Sequence, residues 1–224
     1  TQNAVWPAAM RLPDAPGSPR VFNFGLSGVT PLGELLAVLR LRDAGVRPAA
    51  VVVEMLPVRM AVDSPAEQQY REQAARLSAA DLRHLAPFAR DPAALRGPWL
   101  AARAAPWHAH RSVLLSHWRP RWVPWRERVD FHWTDMDADG FLPFPYDDPG
   151  RDTRDTATAR ARREYAPWFH DFRPGGESER AVRELVRVCR ADGIAVAVLV
   201  PPVSPMFRGW FDPGVWAAAD AHLH

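Results

Sequence analysis

The chain has no lysine, two asparagines, one isoleucine and one cysteine among its 224 residues. Absent lysine makes all 28 basic residues arginine, and they are spread along a chain whose net charge is only +2. That distribution does not indicate nucleic acid as a partner, and the arginine excess reads as replacement of lysine in a GC-rich coding sequence. A lone Cys189, set in an apolar helical pattern, excludes a disulfide framework within the chain and a cysteine metal cluster. No run approaches the ~20 apolar residues of a membrane-crossing helix. Residues 1–20 are polar and proline-rich, without the charged-then-apolar layout of a signal peptide.

What remains is ample for a core: 47% of the residues are apolar, including ten tryptophans. VFNF (21–24) predicts a short strand. Pro31 to Ala44 predicts a helix, with Leu32, Leu35, Leu36 and Leu39 at one-face spacing and Gly45 and Pro48 as a stop. AVVVEML (50–56) is a near-continuous apolar run, expected for a strand covered on both faces. The same grammar returns late in the chain. Ser178 can cap a helix carrying Ala181, Val182, Leu185, Val186 and Cys189, and IAVAVLV (194–200) predicts a second buried strand. Asp212 and Pro213 open a last helix. These βαβ features predict a parallel sheet. Residues 60–177, with helical pieces at 65–77 and 79–89 and a Trp, Pro and Arg-rich stretch, read as a helical insertion in which most tryptophans pack.

The stretch VFNFGLSGVTPL (21–32) sets Ser27 between glycines after a strand and before a helix. An α/β-hydrolase elbow needs G-x-S-x-G, but the order Gly25-Leu26-Ser27-Gly28-Val29 puts valine at the second glycine. A phosphate loop lacks both the full G-x-G-x-x-G and a lysine. Asp135-Met136-Asp137-Ala138-Asp139-Gly140 copies the first half of a calcium loop, with Tyr146 in place of the closing glutamate, so a polar turn is the plainer reading. His108 and His110, two apart, cannot share one helical face with His117 as metal ligands.

VFNFGLSGVTP resembles the second conserved block of the SGNH (GDSL-type) hydrolase superfamily, V-x-N-x-G-x-S-G-x-T, including Asn23. The resemblance implies that Gly28, rather than Ser27, serves the chemistry, by offering its backbone N–H to the oxyanion. A glycine lets substrate oxygen approach closely, and such a donor is worth ~10²-fold or more in rate. Where the family places G-x-N-D, this chain reads Leu56-Pro57-Val58-Arg59. The second oxyanion donor, an asparagine, is missing. A V-E-x-L-P ending, together with PPVSPMFRGWF (201–211), is similar to a divergent SGNH-like branch related to polysaccharide O-acetyltransferase domains.

The resemblance implies a three-layer, flavodoxin-like α/β fold lacking its first and last strands, as one partial domain over residues 1–224. It puts the nucleophilic serine just ahead of Thr1 and the Asp/His pair beyond His224, so the chain is expected to be an interior fragment. Asp220 and His222 have the D-x-H spacing seen in O-acetyltransferase relatives, but fall within a predicted helix. Glu54, Arg59 and Arg208 are candidate substrate-binding side chains; a structural ion pair for Glu54 and packing on Trp210 for Arg208 are the competing uses. The implied activity is ester hydrolysis or acyl transfer to a carbohydrate-like hydroxyl, with no metal or organic cofactor. A non-catalytic domain binding a glycan or an envelope partner is the alternative, and Ser27 as an α/β-hydrolase nucleophile is a third. Relatives of this branch are often exported or membrane-anchored. Without its first and fifth strands the sheet is expected to leave an apolar flank open where a central strand belongs, and the isolated chain to be poorly soluble or molten.

Overall fold

A computed structural model describes residues 7–10, 12, 15–24, 30–62, 74–89, 91–124, 127–142 and 154–223. The chain divides into two compact units, the larger made of Thr30–Ala101 and Asp152–His224 and the smaller of Thr1–Val29 and Ala102–Arg151. It is a mixed α/β chain, mostly helical, with one small parallel sheet among the described residues.

The larger unit begins with α1 (Pro31–Asp43), started by proline at the first helical position and carrying Leu32, Leu35, Leu36 and Leu39 into the core. It leads to β1 (Ala50–Glu54), which ends where Pro57 opens a single 3₁₀ turn, Pro57–Met60. Three helices follow: α2 (Ala79–Leu85), α3 (Pro92–Ala104), whose residues from Ala102 on belong to the smaller unit, and, later in the chain, α7 (Arg154–Tyr165). Then come α8 (Gly176–Ala191), β2 (Ala195–Leu199), the short α9 (Pro205–Arg208) and α10 (Pro213–Leu223). β1 and β2 pair in parallel, with Val51 opposite Val196 and Val53 opposite Val198. Met55 extends the ladder by donating its N–H to the Leu199 carbonyl at 2.8 Å.

α1 and α8 pack on each other and on the face of the sheet that carries Val51, Val53 and Val196. Leu185, Val188 and Cys189 of α8 meet the α1 leucines there. Strand residues alternate sides, so Val52 and Leu199 belong to the other face, where they stand 67% and 44% exposed. The expectation of strands covered on both faces therefore fails among the described residues: Val51, Val53 and Val196 pack on the helices, whereas Val52 and Leu199 on the other face, and Val198 near the end of β2, stand exposed. A second core joins Met55, Val58 and Met60 to Trp168, Phe169, Phe172, Phe211 and Trp216.

α8 begins two residues before the expected cap, so Ser178 lies inside the first turn and is 1% exposed. An antiparallel bridge between Ala61 and Pro174 sets this start. Gly176 has φ +71°, and a Cβ there would lie 2.9 Å from the Val62 carbonyl oxygen, so only glycine fits without displacement. α2 is closed at its start by a reciprocal cap between Ser78 and Asp81. The Asp81 carboxylate also accepts two bonds from Arg40 of α1, at 2.9 and 2.8 Å.

The smaller unit contains α4 (Pro106–Ala109), α5 (Arg111–Trp118), a 3₁₀ turn at Pro120–Trp122 and α6 (Phe131–Thr134). The expected strand at 21–24 is not formed. Its Phe22 and Phe24 are exposed, and the Asn23 N–H donates to the Asp139 carbonyl at 2.7 Å, docking the segment on the aspartate-rich turn instead of a sheet. Of the expected helical insertion over 60–177, the described parts hold several short helices joined by turns and loops and are shared between the two units, and most of the helix expected at 65–77 lies outside the described residues. The tryptophans there do not all pack: Trp168 is buried, whereas Trp107, Trp118, Trp122 and Trp133 are exposed.

Candidate functional site

A helix that returns directly into the following strand runs antiparallel to it, which brings the first turn of α1 to the carboxyl end of β1. Ligands of parallel α/β sheets sit outside that edge. Two carboxylates belong to this edge, Glu34 in the first turn of α1 and Glu54 at the end of β1. Burial, and after it the negative charge of Glu54, push the Glu34 carboxyl up to about 8. Its Oε2 is enclosed without a hydrogen-bond partner. The positive end of a helix dipole favours the charged form by only about 0.3–1 kcal/mol, so desolvation wins. Glu34 thus keeps its proton near neutrality and can donate a hydrogen bond or a proton.

A second constellation lies just past β1. Arg59 donates from Nη2 to Glu164 Oε1 at 2.9 Å and to the Tyr165 hydroxyl at 3.1 Å. Its guanidinium stands 5.1 Å from the Tyr165 ring centroid and 5.6 Å from that of Trp168. A guanidinium on an aromatic platform suits a carboxylate or carbonyl oxygen. Tyr165 continues through Phe207 to Trp210, at centroid distances of 5.0 and 5.4 Å. Arg208 ends α9 and lies over Trp216 at 5.2 Å, while its carbonyl accepts the Trp216 indole N–H at 3.2 Å. Its aromatic partner is therefore Trp216 rather than the expected Trp210.

Gly28 and Ser27 lie outside the described residues. Asn23 is buried in the smaller unit, held through its backbone to the aspartate-rich turn. On α10, Asp220 is exposed, and His222 turns its Nε2 to Glu179 Oε1 at 3.3 Å, so the two do not pair with each other. The structure instead brings His170 Nδ1 to Asp212 Oδ2 at 3.1 Å, an exposed pair distant in sequence. In the aspartate-rich turn the Asp137 carboxylate accepts the N–H groups of Asp139 and Phe141, at 3.0 and 2.8 Å, which is the work of a turn. No group of three His, Cys, Asp or Glu side chains among the described residues is arranged to hold a metal. Cys189 is fully buried, and burial pushes its thiol up, as for an inert core residue.

Sequence reasoning missed Glu34 and the partners of Arg59. The signal for Glu34 was a lone carboxylate on a helix start otherwise made of leucines, PLGELL. Nothing local announces Glu164 and Tyr165, which reach Arg59 across more than a hundred residues of chain. The chain matches no protein-family model, no curated protein and no solved structure.

Proposed function

We propose that the chain is an SGNH-like domain that hydrolyses an ester or transfers an acyl group to a carbohydrate-like hydroxyl. The observation that carries this reading is the parallel β1–β2 pair with Glu34 and Glu54 at its carboxyl edge, the position at which parallel α/β sheets hold their substrates. In a three-layer, flavodoxin-like arrangement, further strands and a second helical layer would cover the face that now exposes Val52 and Leu199. The Gly28 amide would hold the oxyanion. The attacking serine and its Asp/His base would come from segments flanking these residues, as the family resemblance implies. The serine hydroxyl would add to the acyl carbonyl while histidine takes its proton. Histidine would return that proton to the departing alkoxide, and water or an acceptor hydroxyl would then release the acyl group.

Val58 favours a second reading, a non-catalytic glycan-binding domain. It occupies the place of the family's second oxyanion donor and is 0% exposed, facing core rather than ligand. One experiment separates the readings. The full-length protein is treated with a fluorophosphonate probe and assayed on p-nitrophenyl acetate and on acetylated xylan. Modification of a serine outside the chain, with a rate that falls ~10²-fold in Gly28→Ala, supports acyl transfer. Modification at Ser27 would make it an α/β-hydrolase-type nucleophile, and glycan binding with neither modification nor turnover would leave the binding domain.

A further inference from the structure

The smaller unit exposes tryptophans on consecutive elements. Trp107 in α4, Trp118 at the end of α5 and Trp122 at the end of the following turn are 63%, 68% and 73% exposed. Exposed aliphatic side chains, Leu114 and Leu115, accompany them on α5. The opposite side of that helix is anchored: Ser116 is 2% exposed, and its hydroxyl accepts the Val129 N–H at 3.2 Å. At about 100° per residue, Leu114 and Trp118 fall on the side away from Ser116.

The charge on this surface has one sign. From Pro92 to Arg126 the chain carries no aspartate or glutamate. Arg111 and Arg119 bond only nearby backbone carbonyls, of His108 at 3.0 Å and Trp118 at 3.2 Å, which holds them beside the tryptophans without neutralising them. Neither they nor Arg121 has a carboxylate partner among the described residues.

We propose that this face of the smaller unit docks on an anionic lipid surface, with Trp107, Trp118 and Trp122 at the headgroup boundary and Arg111, Arg119 and Arg121 on lipid phosphates. Tryptophan rings favour that boundary because one edge is apolar and the indole N–H is polar. Exposed leucines between them add apolar area that a bilayer accepts, whereas stacked nucleic-acid bases use aromatic rings and gain nothing from leucine. A second copy of the chain is disfavoured as the occupant, since a twofold interface sets the same unpaired arginines against themselves. The helices are short, so the unit lies on the bilayer surface without crossing it; no helix among the described residues is long and apolar enough to span a membrane.

The test is cosedimentation of the intact protein with vesicles of phosphatidylcholine containing phosphatidylglycerol, and with phosphatidylcholine alone, at low and high salt. The parent should bind the anionic vesicles, weakly or not at all the neutral ones, and less at high salt. Neutralising Arg111, Arg119 and Arg121 together to glutamine should cost about fivefold in partitioning per charge. Trp107→Ala, Trp118→Ala and Trp122→Ala together should cost roughly tenfold or more, with unchanged circular dichroism. If the triple tryptophan variant loses its fold, the arginine variant decides. Absence of vesicle binding overturns the proposal, as does binding insensitive to both sets of substitutions. So does preferential capture of single-stranded RNA, or tryptophan-dependent dimerisation without vesicle binding.

Discussion

Replacing Glu34 with glutamine should stabilise the larger unit at alkaline pH and remove much of its pH dependence. The carboxyl is raised from 4.5 to about 8, so between those values the folded state holds a proton that the unfolded chain releases. Stability must therefore fall as pH rises through this window, with a slope of up to about 1.4 kcal/mol per pH unit. Below 4.5 both states are protonated and the penalty vanishes; above about 8 it is fully present. The whole interval corresponds to about 5 kcal/mol at most. Glutamine keeps the shape, carries no charge and should leave the profile nearly flat over that range. Glu54→Gln removes the second cause of the shift and should lower the Glu34 pKa without restoring it, because burial is the larger cause. The assay is hydrogen exchange of peptides from α1 and β1 across this pH range, which reports on the larger unit alone. A Glu34→Gln variant with the parental slope, or a Glu34 carboxyl resonance titrating near 4.5, would refute the reasoning.

The Asp81 carboxyl is drawn down to about 2, because bonds from Arg40 and Ser78 outweigh the burial that would raise it. Its contribution is present above 3.8 and is lost as pH falls through about 2; Asp81→Asn should cost roughly 2–3 kcal/mol at neutral pH, read as faster exchange in α2. Gly140 has φ +80°, and a Cβ there would lie 2.3 Å from the Asn23 carbonyl oxygen, so Gly140→Ala should loosen residues 22–24 by about 2 kcal/mol or more. Limited proteolysis at Phe22 and Phe24 measures it, and an unchanged cleavage rate would contradict the packing described. Val58→Asn restores the family's residue type but buries an amide in an apolar core; it should cost about 3 kcal/mol in urea denaturation and bring no gain in ester hydrolysis.

Elements with a strong period were legible from their own residues. The leucines of α1 and the apolar runs of β1 and β2 state both their type and their approximate bounds, because each must bury one stripe or face whatever lies around it. The segment at 21–24 was not legible. Four apolar-leaning residues satisfy a strand pattern, but the Asp139 carbonyl and the space above Gly140 decide where they dock. Ser178 failed as a cap for a related reason: a bridge at Pro174 moved the helix start, and serine is tolerated inside the first turn. At the carboxyl edge, the Glu54 position followed from strand length, whereas the protonation of Glu34 depends on what encloses it. The aromatic platform under Arg59 combines α7, its following turn and the chain after β2, an assembly with no local pattern.

The parallel ladder joins residues about 145 positions apart in the chain, Ala50 to Ala195 and Glu54 to Leu199. During synthesis β1 must leave the ribosome and wait, with Val51, Val52 and Val53 unpaired by β2, until the segment between the two strands and β2 itself have been translated. At ~5–20 residues per second that interval is on the order of ten seconds, far longer than the microseconds in which α1 can form. A bare valine-rich strand over such a time is a substrate for holding chaperones and a seed for self-association. The yield of folded protein should accordingly depend on translation rate and chaperone supply more than on the final stability of the sheet.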